Sequence, residues 1–345
     1  MQQQATSSLM SLLSCLLYII ANITAMFLYW LYQQARDRKV QQDGNSDEVD
    51  ADGMEVRQPI RFKNQPSLLA MLGLEPYHSH TFFAFEDHFH TFEAVSKGCK
   101  RAGLEKCGLI IGVDFSASNE WQGRKSFSGQ NLHRVITGKI YNPYQKVISI
   151  IGKTLEPFDE DNLIPAFGFG DSSTMGKDTF PFMPKSEPCC GFQEVLDRYS
   201  NIATRITLGG PTNFAPIIYK AIEIVQKLRS YHILIIIADG QVNEEDTTIE
   251  AIVEASNYPL SIIVVGVGDG PWDIMENFDN FLPQRKFDNF QFVNFHGVTT
   301  KARNPETSFA LHALMEIPDQ FKTIKSLGYI ENGREGIHNV VKREN

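Results

Sequence analysis

The chain has 345 residues, 42% of them hydrophobic and 21% charged, with a net charge of −9. That composition fits a soluble globular domain with a sizeable core and excludes a disordered or fibrous chain. The acidic balance, with no long basic run after the first forty residues, argues against a nucleic-acid partner. The cysteines, Cys15, Cys99, Cys107, Cys189 and Cys190, lack C-x-x-C spacing and read as reduced thiols rather than a disulfide framework. The adjacent Cys189-Cys190 reads as ordinary loop thiols, with a redox-active pair as the alternative.

Residues 9–32 contain no charged side chain and are long enough for a transmembrane helix. They end in Tyr29, Trp30 and Tyr32, followed by Arg36, Arg38 and Lys39. An aromatic belt followed by basic residues places the following chain in the cytosol. A cleaved signal peptide fits poorly, because no basic region precedes the apolar run. The sequon Asn22-Ile23-Thr24 lies inside that run, where it is not modifiable. Residues 33–65 are polar and acidic and read as a flexible linker. The run Asp43 to Asp52 lacks the ligand spacing of a calcium-binding loop.

From about Tyr77 onward, strands and helices alternate. The pattern predicts a helix over 91–102 stopped by Gly103, and a strand from Leu109 ending at Asp114. A helix over 144–155 and a strand over 163–169 leading into Gly170-Asp171 follow. Phe214 to Leu228 has the clearest helical period, with Pro216 in its first turn. Ile233 to Ile237 is wholly apolar, as expected of a strand covered on both faces. Leu260–Val267 and Phe290–Phe295 read as further strands, and Phe309–Ser326 as one closing amphipathic helix. The fold class is therefore α/β, a doubly wound, mainly parallel sheet flanked by helices.

Asp114-Phe115-Ser116-Ala117-Ser118 places one carboxylate and two hydroxyls where the first central strand ends. Open α/β sheets bind ligands at that edge, and hard oxygen donors suit Mg²⁺ or Mn²⁺. Thr212 precedes the clearest helix, where its hydroxyl either ligates a metal or caps the helix. Asp239 directly follows the Ile-rich strand, as a third donor or a turn aspartate before Gly240.

With Asp114, Ser116, Ser118, Thr212 and Asp239 assembled from three loops, the chain resembles the von Willebrand factor A fold with its metal-ion-dependent adhesion site. In that family the serines and the threonine hold the metal directly or through water, and the aspartates act mainly through water and hydrogen bonds. A partner's Asp or Glu completes the coordination. Ile164-Pro165-Ala166-Phe167-Gly168-Phe169-Gly170-Asp171, Gly210-Pro211-Thr212-Asn213-Phe214-Ala215-Pro216, Val265-Gly266-Val267-Gly268-Asp269-Gly270-Pro271-Trp272 and Phe287-Asp288-Asn289-Phe290-Gln291-Phe292-Val293 resemble the copine branch of the fold. The resemblance covers residues 77–330, with a polar tail over 331–345. Copines carry two C2 domains ahead of this domain. The stretch before residue 77 reads as membrane segment and linker instead, so calcium-triggered phospholipid binding is not expected. Some ubiquitin ligases carry a similar domain followed by a RING finger. No cysteine follows Gly328, so a zinc array is not expected there. With Gln2 after Met1, N-myristoylation is not expected.

The expectation is a membrane-anchored, cytosol-facing protein-binding scaffold that is not itself an enzyme. The alternative is a substrate-recruiting adaptor for a ubiquitin ligase supplied in trans. A metal-dependent hydrolase would need a general base, which only His78, His80, His88 and His90 offer; these read as surface and edge histidines. Gly266 to Gly270 lacks the register of a dinucleotide loop, and Ser116 and Ser118 lack a nucleophile elbow. Asp171 reads as a turn or cap residue, and Trp121 as either packing or part of a partner-contact rim.

Overall fold

In the computed structural model, residues 91–136, 141–240, 242–282 and 285–330 are described. The expected membrane span at 9–32, the linker at 33–65, the histidines at 78–90 and the tail at 331–345 lie outside them. Among the described residues no helix is long and apolar enough to cross a membrane.

Helix α1 (Phe92–Arg101) starts at Thr91, whose hydroxyl accepts from the Ala94 amide, and gives way to Gly103 at φ +105°. Strand β1 (Gly108–Asp114) then enters the core, followed by α2 (Pro143–Leu155), which Asn142 and Gln145 cap reciprocally. The strand expected over 163–169 is two strands, β2 (Leu163–Ile164) and β3 (Ala166–Phe169). Pro165 separates them because it has no amide to donate to a ladder. Strand β4 (Thr179–Pro181) runs antiparallel beside β3, and β5 (Cys189–Cys190) pairs antiparallel with β2 as a separate ribbon. Next come α3 (Gly191–Ala203), α4 (Ala215–Leu228), β6 (His232–Ala238), α5 (Glu245–Ala255), β7 (Leu260–Gly266), α6 (Asp273–Phe281), β8 (Phe290–Asn294) and α7 (Phe295–Lys301). The closing helix is also two, α8 (Pro305–Leu314) and α9 (Ile317–Ser326). Pro318 lies in the first turn of α9 and has no amide to donate to the carbonyl of Leu314, so the backbone ladder cannot run on unbroken from α8.

The main sheet has six strands in the order β4-β3-β1-β6-β7-β8, parallel except for β4. The all-apolar reading of β6 has a direct structural meaning. Ile233, Ile235 and Ile237 point into one core, shared with α1, α2, α3, α8 and α9. Leu234, Ile236 and Ala238 point into the other, shared with α4, α5 and α6. The alternation of strand side chains thus divides one apolar run between two helical layers. Register pairs Val113 with Ile237 and Ala238 with Gly266, so the carboxyl ends of β1, β6 and β7 fall at one edge.

Candidate metal centre at the carboxyl edge of the sheet

Asp114 is the last residue of β1 and is fully buried. Its Oδ1 accepts from the Ser116 amide at 2.8 Å and its Oδ2 from the Ser116 hydroxyl at 3.0 Å. Ser116 Oγ lies 2.9 Å from Ser118 Oγ. The loop carrying Thr212 is clipped to this one by the backbone. The Ala117 amide donates to Gly209 O at 2.6 Å and the Gly209 amide to Phe115 O at 3.2 Å. A side chain at Gly209 would place its Cβ 2.5 Å from the backbone of Asp171 and Ser172, which only glycine avoids. Asp239, 1% exposed, follows β6 directly. The structure brings Asp114, Ser116, Ser118 and Asp239 together and joins the loop that carries Thr212 to the first loop through backbone bonds.

Thr212 is not the helix cap: Phe214 holds that position without a side-chain bond, and Asn213 Oδ1 accepts from the Ala215 amide at 2.9 Å while its amide group donates to Gly176 O at 3.0 Å. Asn243, which the sequence did not single out, ties Thr212 to the third loop. Its Oδ1 accepts from the Thr212 amide at 2.9 Å, and its own amide donates to Thr212 O at 2.8 Å. Asp171 belongs to its own turn, where both oxygens accept from the amides and hydroxyls of Ser173 and Thr174.

A buried polar network supports the first loop from below. His133 stacks between Phe115 and Tyr144, with ring centroids 4.6 and 4.2 Å away. Its Nε2 lies 2.9 Å from Asp114 O, and its Nδ1 2.9 Å from Tyr199 Oη. A carbonyl can only accept, so Nε2 carries the proton and Nδ1 accepts from tyrosine. Burial pushes the His133 pKa down to about 3, so the ring is neutral. Tyr144 donates to Asn119 at 2.7 Å, and Asn119 donates to Ser116 O at 3.0 Å. Sequence periodicity carries no trace of this network, because its partners are far apart along the chain.

The electrostatics point to a cation. Burial pushes the Asp114 carboxyl up to about 6, opposed by bonds from Ser116. Asp239 is raised well above the usual carboxylate range, first by burial and then by the charge of Asp114. Neither Asp239 oxygen has a partner with good hydrogen-bond geometry, although the Ser118 hydroxyl is near enough to favour its ionised form. Two adjacent buried carboxyls, one of them orphaned, form a costly arrangement unless a positive charge lies between them. Among the described residues no group of three or more His, Cys, Asp or Glu side chains is placed to hold a metal. Hydroxyls would therefore have to supply the remaining donors, which suits Mg²⁺ or Mn²⁺ with retained water.

Protons and metal should compete here. Below about pH 6, Mg²⁺ affinity is expected to fall by roughly tenfold per pH unit as Asp114 takes up a proton. The metal-free protein should respond in the opposite sense. The folded Asp114 carboxyl has a pKa above its unfolded one, so its contribution is most favourable below about pH 4 and is lost as pH rises through about 6. Calorimetry and thermal melts across that range, with and without Mg²⁺, check both slopes.

Residues 131–333 match the family model for copines. The chain belongs to the copine family. It is 50% identical over 252 residues to Copine family protein 2 of Caenorhabditis elegans, a match covering 72% of this chain and 3% of that protein. It is 44% identical over 285 residues to Copine family protein 1 of the same organism, covering 82% and 25%. It is 50% identical over 257 residues to the E3 ubiquitin-protein ligase RGLG3 of Arabidopsis thaliana, covering 70% of each. The chain thus spans between 3% and 70% of the length of these relatives. Similar solved structures include the manganese-loaded Plasmodium vivax TRAP protein, with a TM-score of 0.37 and 13% identity, covering 55% of this chain and 69% of that one. A von Willebrand factor type A protein from Catenulispora acidiphila also has a TM-score of 0.37 and 13% identity, covering 65% and 43%.

Proposed function

We propose that this copine domain is a divalent-cation-dependent protein-binding module without a catalytic step of its own. The supporting observation is the orphaned Asp239 carboxylate facing a second buried carboxylate within a shell of hydroxyls. In this reading Ser116, Ser118 and Thr212 hold Mg²⁺ or Mn²⁺, while Asp114 and Asp239 orient water and hydroxyls around it. Neutral donors leave the ion strongly electrophilic, so an Asp or Glu from a partner protein can complete its shell. The charge-free stretch 9–32, with the basic residues that follow it, supports anchoring in a membrane with the domain on the cytosolic side.

Calorimetric titration of Mg²⁺ and Mn²⁺ into the detergent-solubilised full chain tests this reading. One binding site is expected, weakened at least about a hundredfold in the Ser116→Ala/Ser118→Ala variant, equivalent to roughly 2.7 kcal/mol. Failure of the folded wild-type protein to bind either ion would sink the proposal.

The 50% identity to an E3 ubiquitin-protein ligase favours a second reading, in which the domain recruits substrates to a ligase supplied in trans. Co-purification of a RING protein, with loss of substrate ubiquitination when residues 77–330 are deleted, would select it over a simple scaffold.

A further inference from the structure

The loop over residues 117–132 carries Glu120, Arg124 and Lys125 as its charged residues, with Arg124-Lys125-Ser126-Phe127 at its outer end. Arg124 and Lys125 are exposed, and Ser126 and Phe127 are half-buried. The inner end of the loop is held by the Trp121 and Gln122 amides on Ser118 O and by the Leu132 amide on Asn119 O, all at 3.0 Å.

The outer end is held differently, by one carboxylate. Asp269, in the turn between β7 and α6, accepts from the Lys125 amide through Oδ2 and from the Ser126 amide through Oδ1, at 2.8 Å each. Partial burial pushes the Asp269 carboxyl up, but the two amides, the nearby Ser126 hydroxyl and the Lys125 charge together hold it below the usual carboxylate range. The catch is therefore ionised at neutral pH, and its bonds to the amides are charge-assisted. Gln122 adds a bond to Gly270 O at 2.9 Å and lies against the turn of Asp239, since a Cβ at Gly240 would be 3.4 Å from its Nε2.

Two features thus fall on one residue. A pair of cations just before a serine, with an aromatic side chain just after it, suits a kinase whose peptide groove is acidic. The same serine touches a carboxylate, beside which a phosphate would be a like charge. We propose that Ser126 is a phosphorylation site and that a phosphate there releases the outer end of the loop from Asp269. Ser126 Oγ attacks the γ-phosphorus of ATP, the bond from that phosphorus to the bridging oxygen breaks, ADP leaves, and the hydroxyl proton passes to a carboxylate of the kinase. The product carries a charge of roughly −1.5 to −2 at pH 7, repels Asp269 and competes with it for Lys125. The Lys125 and Ser126 amides lose their acceptor while the inner bonds stay. Because Gln122 lies against the turn of Asp239, release opens the sheet edge beside the donor set.

The test treats the detergent-solubilised full chain with ATP and the catalytic domain of protein kinase C, maps the product by mass spectrometry, and follows deuterium uptake. Incorporation is expected at Ser126, lost in Ser126→Ala and kept in Ser128→Ala. The Lys125 amide of the phosphorylated protein should exchange about tenfold faster or more, as it should in Asp269→Ala, while β6 amides keep their rates and show the fold to be intact. Phosphate on the exposed Ser128 alone, or none on this loop, would overturn the site. Phosphate on Ser126 with unchanged exchange at Lys125, or with faster exchange throughout β6, would overturn the local release.

Discussion

Asp239→Asn is expected to raise the thermal midpoint of the metal-free protein while weakening Mg²⁺ binding by a hundredfold or more. Asp239 is buried, neither of its oxygens is well partnered, and its carboxyl faces that of Asp114. Near neutral pH, folding without metal must either bury two like charges or hold a proton between them. The amide removes the charge at nearly constant volume. A gain on the order of 2 kcal/mol is reasonable for relieving such a pair, and in a domain of this size it corresponds to roughly 4–8 °C. The same substitution removes one of the two charges that would attract the cation. Wild-type protein should therefore be stabilised by added Mg²⁺ and the variant should not. A variant that melts lower than wild type without metal would show that the carboxylate is already satisfied and would remove the electrostatic argument for the site.

The second large effect is expected at Gly268. A Cβ there would lie 2.0 Å from the Asp239 carbonyl oxygen and 2.9 Å from its carbonyl carbon, all backbone atoms that cannot rotate away. The adjoining Val267 amide donates to Ala238 O at 2.8 Å, which holds the two chains together at that point. Gly268→Ala must therefore part the ends of β6 and β7. A destabilisation of roughly 2–4 kcal/mol is expected, measured by denaturant unfolding, with Mg²⁺ affinity reduced because Asp239 moves. Gly240→Ala is the matched control. Its new methyl would meet only the Gln122 side chain, at 3.4 Å, and should change stability by less than about 1 kcal/mol. Equal behaviour of the two variants would refute the steric argument.

The parallel sheet was legible because buried central strands write themselves as unbroken apolar runs. Ile233–Ile237 and Leu260–Val267 lie within one residue of the observed strands. The places of Asp114 and Asp239 were legible for a related reason: a polar side chain ending such a run must sit at the sheet edge. Breaks inside regular patterns were harder to see. Pro165 and Pro318 each divided an element that periodicity alone made continuous. Helix α3 was missed although Phe192, Val195, Leu196, Tyr199, Ile202 and Ala203 recur at helical spacing on its inner face, because Cys190 at its start provides no side-chain cap to mark where it begins. The supports of the site were not legible at all. Asn243 reaches Thr212 across 31 positions and His133 reaches Tyr199 across 66, and pairings at such range leave no local pattern.

The paired backbone bonds between Phe115-Ser116-Ala117 and Gly209 make two candidate donor loops from distant parts of the chain into one mechanical unit. Their amide protons can exchange with solvent only when that unit opens. Deuterium uptake at Ala117 and Gly209 therefore reads how often the donor set comes apart. If cation and partner both hold it closed, exchange at these two positions should slow in steps as each is added, while an edge amide in β4 keeps its original rate.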